Sequence, residues 1–235
     1  MSNGFTIVEL LLVIVVISIL AVVSIVSYNG LSSGAAISGS LNFEAQLHHR
    51  YSAFAKGDWS FDECSGSSVA SSTYTTPDAI TGSASWITDT PSGKGCALRF
   101  SGAESIDTKA SLGSTFYVKA AWVRIMPQSC ADWNILSQSV TEGATSAFFV
   151  TSCKLSAGQD GSWYIVSSPN TINDGKWHYV ALIWENGTMK LYLDGKLVSS
   201  ADSSAPSSVG YLSIGSHYGM SFMVGDIDNP FTASE

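Results

Sequence analysis

The sequence predicts a long apolar N-terminal helix followed by an all-β head, a sandwich of antiparallel sheets. Three observations carry this. The run Phe5 to Val26 contains a single charge, Glu9. From Gly57 onward the pattern changes to short alternating segments separated by Gly, Asn-Gly, Asp-Gly and Ser-rich turns, the signature of an all-β sandwich or barrel. The four cysteines, Cys64, Cys96, Cys130 and Cys153, all follow that change, and none has the Cys-x-x-Cys or Cys/His spacing of a zinc site. An even count downstream of an apolar segment points to two disulfides formed in an oxidising compartment.

Charge separates the same two parts. Residues 1–56 carry only Glu9, Glu44, Arg50 and Lys56, so the formal net charge of −8 resides in the head. An acidic head argues against a nucleic-acid partner and against an anionic lipid surface.

In the N-terminal element, the 22 residues from Phe5 to Val26 would span ~33 Å as a helix, close to the ~30 Å core of a bilayer. A secretory signal would open on basic residues and have a shorter apolar core, but no Lys or Arg precedes Arg50. An ordinary anchor explains the length but not a glutamate within the run, which costs ~2.5 to 3.5 kcal/mol near a bilayer centre and less at its edge. Beyond the run, Gly30, Gly34 and Gly39 each weaken a helix by ~1 kcal/mol relative to Ala, so partial unwinding is expected there. Ile37, Leu41, Phe43, Leu47, Tyr51 and Phe54 fall within an arc of about 160° at helical spacing, a face able to dock on the head. His48 and His49, being adjacent, do not share a helix face and read as surface residues rather than metal ligands.

The residues Gly4-Phe5-Thr6-Ile7-Val8-Glu9, with the Leu-rich sequence after them, resemble the prepilin signature of type IV pilins and type II secretion pseudopilins. The resemblance implies that a prepilin peptidase cuts after Gly4 and methylates Phe5. It also implies that Glu9 meets the N-terminal amine of a neighbouring subunit, compensating both charges inside an apolar bundle. The leader lacks the basic residues common in that family, and the proline often found midway along the stem is absent. The chain then divides into a leader (1–4), a transmembrane and polymerisation helix (5–27), an amphipathic stem and linker (28–56) and the head (57–235).

Within the head, Lys176 to Ser200 reads as consecutive hairpins, because Asn186-Gly187 and Asp194-Gly195 both suit type I′ turns. Val180, Leu182 and Trp184 alternate with Ala181 and Ile183, so this strand should be central and buried on both faces. Asn186-Gly187-Thr188 is formally a glycosylation sequon, which the turn already explains. The order of Trp59-Ser-Phe-Asp-Glu, Gly95-Cys-Ala-Leu-Arg-Phe-Ser-Gly102, Ala121-Trp-Val-Arg124, Asp174-Gly-Lys-Trp-His-Tyr-Val-Ala-Leu182, Leu191-Tyr-Leu-Asp-Gly195, Leu212-Ser-Ile-Gly215 and Gly225-Asp-Ile-Asp228 resembles a laminin G-like domain. That family belongs to the concanavalin A-like jelly rolls, sandwiches of two antiparallel sheets. After Asp228 the tail NPFTASE is shorter than the closing strand and helix usual there, so the last edge is expected to be altered or covered by the stem.

The family's strand order brings Trp59–Cys64 near Cys96–Phe100. With nearest-in-sequence pairing, this favours Cys64–Cys96 and Cys130–Cys153 among three connectivities. The resemblance also implies a receptor for carbohydrate or protein, with Ca²⁺ often held at a rim. Asp62, Glu63, Asp226 and Asp228 could supply oxygen ligands if the first and last strands are neighbours, and no other cofactor is required. Trp133 in CADWN and His217-Tyr218 in GSHYGM are aromatics near loops that could stack on a sugar ring.

An enzyme of the glucanase superfamily is the distant alternative. Retaining glycosidases need two carboxylates ~5 Å apart, and this chain lacks a Glu-x-Asp-x-Glu run; Asp226-Ile-Asp228 comes nearest. His178, between Trp177 and Tyr179, reads as structural. The expected function is a non-enzymatic structural subunit of a type IV pilus-like filament. Its partners would be itself as a homopolymer, the prepilin peptidase and assembly machinery, the cytoplasmic membrane before assembly, and a carbohydrate or surface-protein ligand outside the cell. A minor pilin, tip adhesin or secretion pseudopilin is the nearest alternative.

Overall fold

The computed structural model describes residues 7–138, 146–207 and 210–235, with the backbone alone for 22–33. Gly4 and Phe5, the expected cleavage and methylation positions, lie outside the described residues. The first element is the helix α1 (Ile7–Tyr51), which continues through Gly34 and Gly39. The expected unwinding is absent there: neither glycine touches anything a Cβ would meet, and the helical face that docks on the head outweighs a propensity cost of ~1 kcal/mol per glycine. Glu9 sits in its first turn. Among the described residues no helix is long and apolar enough to cross a membrane. The described part of the apolar run, 7–21, is nevertheless exposed along its length, with Ile7, Leu10, Leu12 and Ile17 among its uncovered side chains.

A single 3₁₀ turn, Ser52–Phe54, leads into seventeen strands among the described residues. In chain order these are β1 (Ala55–Asp58), β2 (Ser68–Ser71), β3 (Tyr74–Thr81), β4 (Ser85–Ile87), β5 (Ala97–Ser101), β6 (Ser105–Ser111), β7 (Phe116–Arg124), β8 (Trp133–Asn134) and β9 (Leu136–Gln138). They continue with β10 (Ser146–Thr151), β11 (Lys154–Gln159), β12 (Ser162–Thr171), β13 (Trp177–Glu185), β14 (Thr188–Leu193), β15 (Lys196–Asp202), β16 (Tyr211–Ile214) and β17 (Val224–Ser234). One layer runs β15-β14-β13-β7-β17-β5-β4, with β1 also paired to β17. The other consists of β2-β3-β6-β16-β9 and β12-β11-β10-β8. These two runs join at Ile135, whose N–H donates to Phe148 O (2.9 Å) and whose carbonyl accepts from Gly215 N (3.0 Å). Trp133–Gln138 is therefore one interrupted strand between β10 and β16.

Alternation explains the layering. On β7, Tyr117, Ala121 and Val123 face the core between the sheets with Leu98, Phe100, Phe148, Val180, Leu182 and Ile227. Val118, Ala120 and Trp122 point to the opposite side, where they meet Leu47 and Tyr51 of α1 together with Tyr179, Ala181 and Phe231. The molecule is thus three layers deep, helix on sheet on sheet, and β13 is apolar on both faces because it is covered on both. The two hairpin turns after β13 have positive φ at both central residues, 51° and 75° at Asn186-Gly187 and 50° and 75° at Asp194-Gly195, the geometry a type I′ turn requires. At Gly195 the missing Cβ also makes room for Phe43, whose own Cβ would stand 3.1 Å away.

The tail is covered by the stem, as expected, but as an interior strand. NPFTASE is no edge: it continues β17 between β7 and β1, with a register shift against β7 between Asp228 and Phe231. Asn229 takes φ 46° at that shift, and Phe231 then lies under the stem with its ring 4.2 Å from that of His48. His48 is accordingly half-buried, whereas His49 is exposed. Both disulfides form as paired above, Cys64–Cys96 and Cys130–Cys153, with Cα–Cα distances of 5.3 and 5.0 Å.

Candidate functional site

A cavity of about 200 Å³ opens on the outer side of the second layer, lined by Asp132, Asn134, Ala147, Phe149, Trp163, Tyr164, His217 and Ser221. Strand alternation creates it. Phe148 and Val150 enter the core, which turns Ala147 and Phe149 outward. The β11–β12 hairpin folds back over this surface at Gly158, where a Cβ would stand 2.0 Å from Ser162 O and 2.5 Å from the Trp163 backbone. Tyr164 then meets Phe149 edge-on (5.8 Å between centroids), and Trp163 meets His217 likewise (5.5 Å).

The opposite wall is a tight turn after β16. His217 and Met220 exchange backbone hydrogen bonds of 3.0 and 2.9 Å, and Tyr218, Gly219 and Ser221 all have positive φ. Tyr218 and Ser221 bear this strain without glycine's freedom, a condition that concentrates at functional loops. Asn134 fastens the turn: its backbone N–H and its Nδ2 donate to Ser221 O at 3.1 and 3.2 Å. The Cys130–Cys153 bridge ties the Asp132 loop to the β10–β11 turn. Burial, with Lys119 adding a smaller effect, pushes the His217 imidazole below its ordinary range.

Of the three aromatics expected to bind, His217 lines the cavity, Tyr218 stands exposed on the adjoining turn, and Trp133 does not take part. Trp133 packs into the core between the sheets, 8% exposed, because alternation along β8 turns its neighbours Asp132 and Asn134 outward instead. That inversion was available in the sequence. So was a signal for Trp163 and Tyr164, since two adjacent aromatics at the start of a strand cannot both face one core.

The four carboxylates expected to hold Ca²⁺ do not converge. Asp226 is buried between Arg99 (2.7 and 3.1 Å) and Arg124 (2.8 and 2.7 Å). Glu63 accepts the Ala70 N–H at 2.7 Å. Asp228 accepts from the Asn229 N–H at 2.9 Å, and burial, with Glu44 and Asp62 nearby, raises its carboxyl to about 7. Among the described residues no three His, Cys, Asp or Glu are grouped to hold a metal ion.

A larger cavity of about 420 Å³ lies between stem and head, lined by Ile37, Ser40, Asp174, Trp177, His178 and Asp194 among others. Its polar groups already serve one another. His178 is held between Asp194 (2.8 Å) and Asp174 (3.1 Å). Asp194 accepts in addition from Ser40 Oγ at 3.3 Å and from Tyr179 N at 3.0 Å. Trp177 lies under the Arg124 guanidinium, 4.9 Å away. This space is a joint, whereas the smaller cavity offers solvent-exposed aromatic surface at Tyr164. The two lie on opposite sides of the sandwich.

Residues 100–230 match the concanavalin A-like lectin/glucanases superfamily. No curated protein matches the chain. Among solved structures, domain 4 of an extracellular arabinanase from Geobacillus stearothermophilus, in complex with arabinotriose, is 18% identical with a TM-score of 0.58, over 77% of this chain and 92% of that one. The binding domain of botulinum neurotoxin DC, in complex with SialylT, is 11% identical with a TM-score of 0.57, over 77% and 48%. A mutant Trypanosoma rangeli sialidase with trans-sialidase activity is 11% identical with a TM-score of 0.60, over 77% and 31%. The chain spans about half or less of these last two. Likeness at such identities shows the shared fold.

Proposed function

The chain belongs to the concanavalin A-like lectin/glucanases superfamily, and from that footing we propose that it is a surface-displayed glycan-binding subunit whose stem assembles with the stems of other copies into a pilus-like filament. The observation that carries this is the opposition of the two faces. The stem occupies one side of the sandwich and the aromatic pocket opens on the other, so packing through the stem leaves the pocket pointing outward. An exposed apolar helix needs a cover, and stems of neighbouring copies supply one, after residence in the membrane before assembly. The prepilin-like residues Gly4 to Glu9 support the same assembly. Trp163 and Tyr164 offer ring faces for a sugar's C–H surface, while Asp132, His217 and Ser221 offer polar groups to its hydroxyls. Binding is favoured over hydrolysis because Asp132 is the one carboxylate among the described lining residues, and glycoside cleavage ordinarily uses two.

The test uses surface filaments sheared from cells expressing the chain, applied to immobilised glycans. Trp163→Ala should leave filament number unchanged and reduce retention at least about fivefold, on the scale of ~1 to 3 kcal/mol that stacking of a nucleobase on an aromatic side chain contributes. Retention equal to wild type would remove the pocket from the function, and absence of filaments from wild-type cells would remove the stem's role.

A further inference from the structure

We infer that the pocket selects glycans whose bound residue carries no carboxylate or sulfate, admitting a neutral or amine-bearing sugar and excluding a uronic or sialic acid. This rests on the reading of the pocket as a sugar site. Its charge pattern carries the rest. Among the described lining residues, exposed Asp132 is the one that is formally charged, and none is Lys or Arg. The residues outside the described set contain no Lys or Arg either.

The remaining basic groups give no counter-charge. Burial keeps the His217 imidazole below its ordinary range, hence neutral at neutral pH. Lys119 is wholly buried beneath and donates from Nζ to Ser146 O at 2.6 Å, so its amine does not reach the cavity. Recognition of a carboxylate or sulfate draws on charge-assisted hydrogen bonds, most often from arginine, and a desolvated anion without such a partner is costly. The head's share of the −8 net charge disfavours anions at longer range as well. A neutral sugar meets none of these penalties: its hydroxyls donate to Asp132 while its apolar face lies on the aromatic wall.

The test is a set of matched pairs titrated against the full chain in a polyoxyethylene detergent, which has no sugar headgroup to compete. The pairs are methyl β-glucoside with methyl β-glucuronide, lactose with a sialylated lactose, and N-acetylglucosamine with N-acetylmuramic acid. In each pair that binds, the uncharged member should bind at least about tenfold more tightly, the size of a like-charge repulsion across several ångströms at a partly solvated site. Asp132→Asn should narrow the gap by strengthening the acidic member. An acidic member that binds as tightly as its neutral partner overturns the selectivity while leaving the sugar site standing. An unchanged ratio in Asp132→Asn overturns its assignment to this carboxylate. Binding by no member of any pair removes the site and the selectivity together.

Discussion

Replacing Asp228 by Asn should stabilise the head at alkaline pH and hardly affect it at acid pH. Asp228 is 3% exposed, and burial, aided by the Glu44 and Asp62 charges, raises its carboxyl from 3.8 to about 7. The sign follows from proton binding. Between those two values the folded state holds a proton that the unfolded state releases, so stability falls as pH rises and levels off above the folded value. At ~1.4 kcal/mol per pH unit, ionising Asp228 costs the fold up to ~4 kcal/mol above pH 7 and about half of that near pH 5.5. Asparagine keeps the acceptor that serves Asn229 N–H and removes the charge. Wild type should therefore lose ~2 kcal/mol from this group between pH 5.5 and 8.5, and the variant should not. Two other groups add to the wild-type slope. Burial lowers His178, but its bonds and charges with Asp194 and Asp174 outweigh that and raise it, so its contribution is present below its ordinary pKa of 6.5 and lost as pH rises through the folded value. Burial raises Glu44, opposed by hydrogen bonds from Trp122 and Asn229, and it too favours the lower pH. The difference between variant and wild type isolates Asp228. Urea unfolding of both proteins, followed by tryptophan fluorescence at the two pH values, measures it. A variant with the wild-type pH slope, or one less stable than wild type at pH 8.5, would refute the reasoning.

Two further perturbations separate the parts of the molecule. Removing the Cys130–Cys153 bridge, whose ends are 23 residues apart, should lower stability by ~3 kcal/mol through unfolded-chain entropy. It should also weaken sugar binding more than removal of Cys64–Cys96 does, because only the former anchors the Asp132 loop; equal affinity losses in calorimetric titration would contradict that anchoring. Glu9→Leu should give a membrane-resident, correctly processed protein that fails to enter filaments, read by immunoblot and by counting filaments in electron micrographs. Wild-type filament numbers would show that Glu9 does not guide assembly.

The sandwich was legible in the sequence because its signals are local. Asn186-Gly187 and Asp194-Gly195 specify their turns, and the double-faced apolar pattern of Val180 to Trp184 announced cover on both sides before the stem was seen to provide it. The docking arc of Ile37 to Tyr51 followed from helical spacing alone. The candidate site was less legible, since it depends on which way each strand faces. One inverted assignment, Trp133 inward rather than outward, hid Asp132 and Asn134. The fold-back at Gly158 that brings Trp163 over β10 is a close backbone approach that no periodicity announces. The partners of Asp226 were hidden for a related reason: proximity of the first and last strands was foreseen, but Arg99 and Arg124, which neutralise it, come from two other strands.

The most direct test of glycan binding at this site is fluorine NMR of the full chain carrying 5-fluorotryptophan at its seven tryptophans, titrated with a neutral sugar. The resonance lost in Trp163→Phe should move most, with those of Trp122 and Trp184 unmoved in their cores. A spectrum that does not change, or one in which Trp177 at the stem joint moves instead, would contradict it.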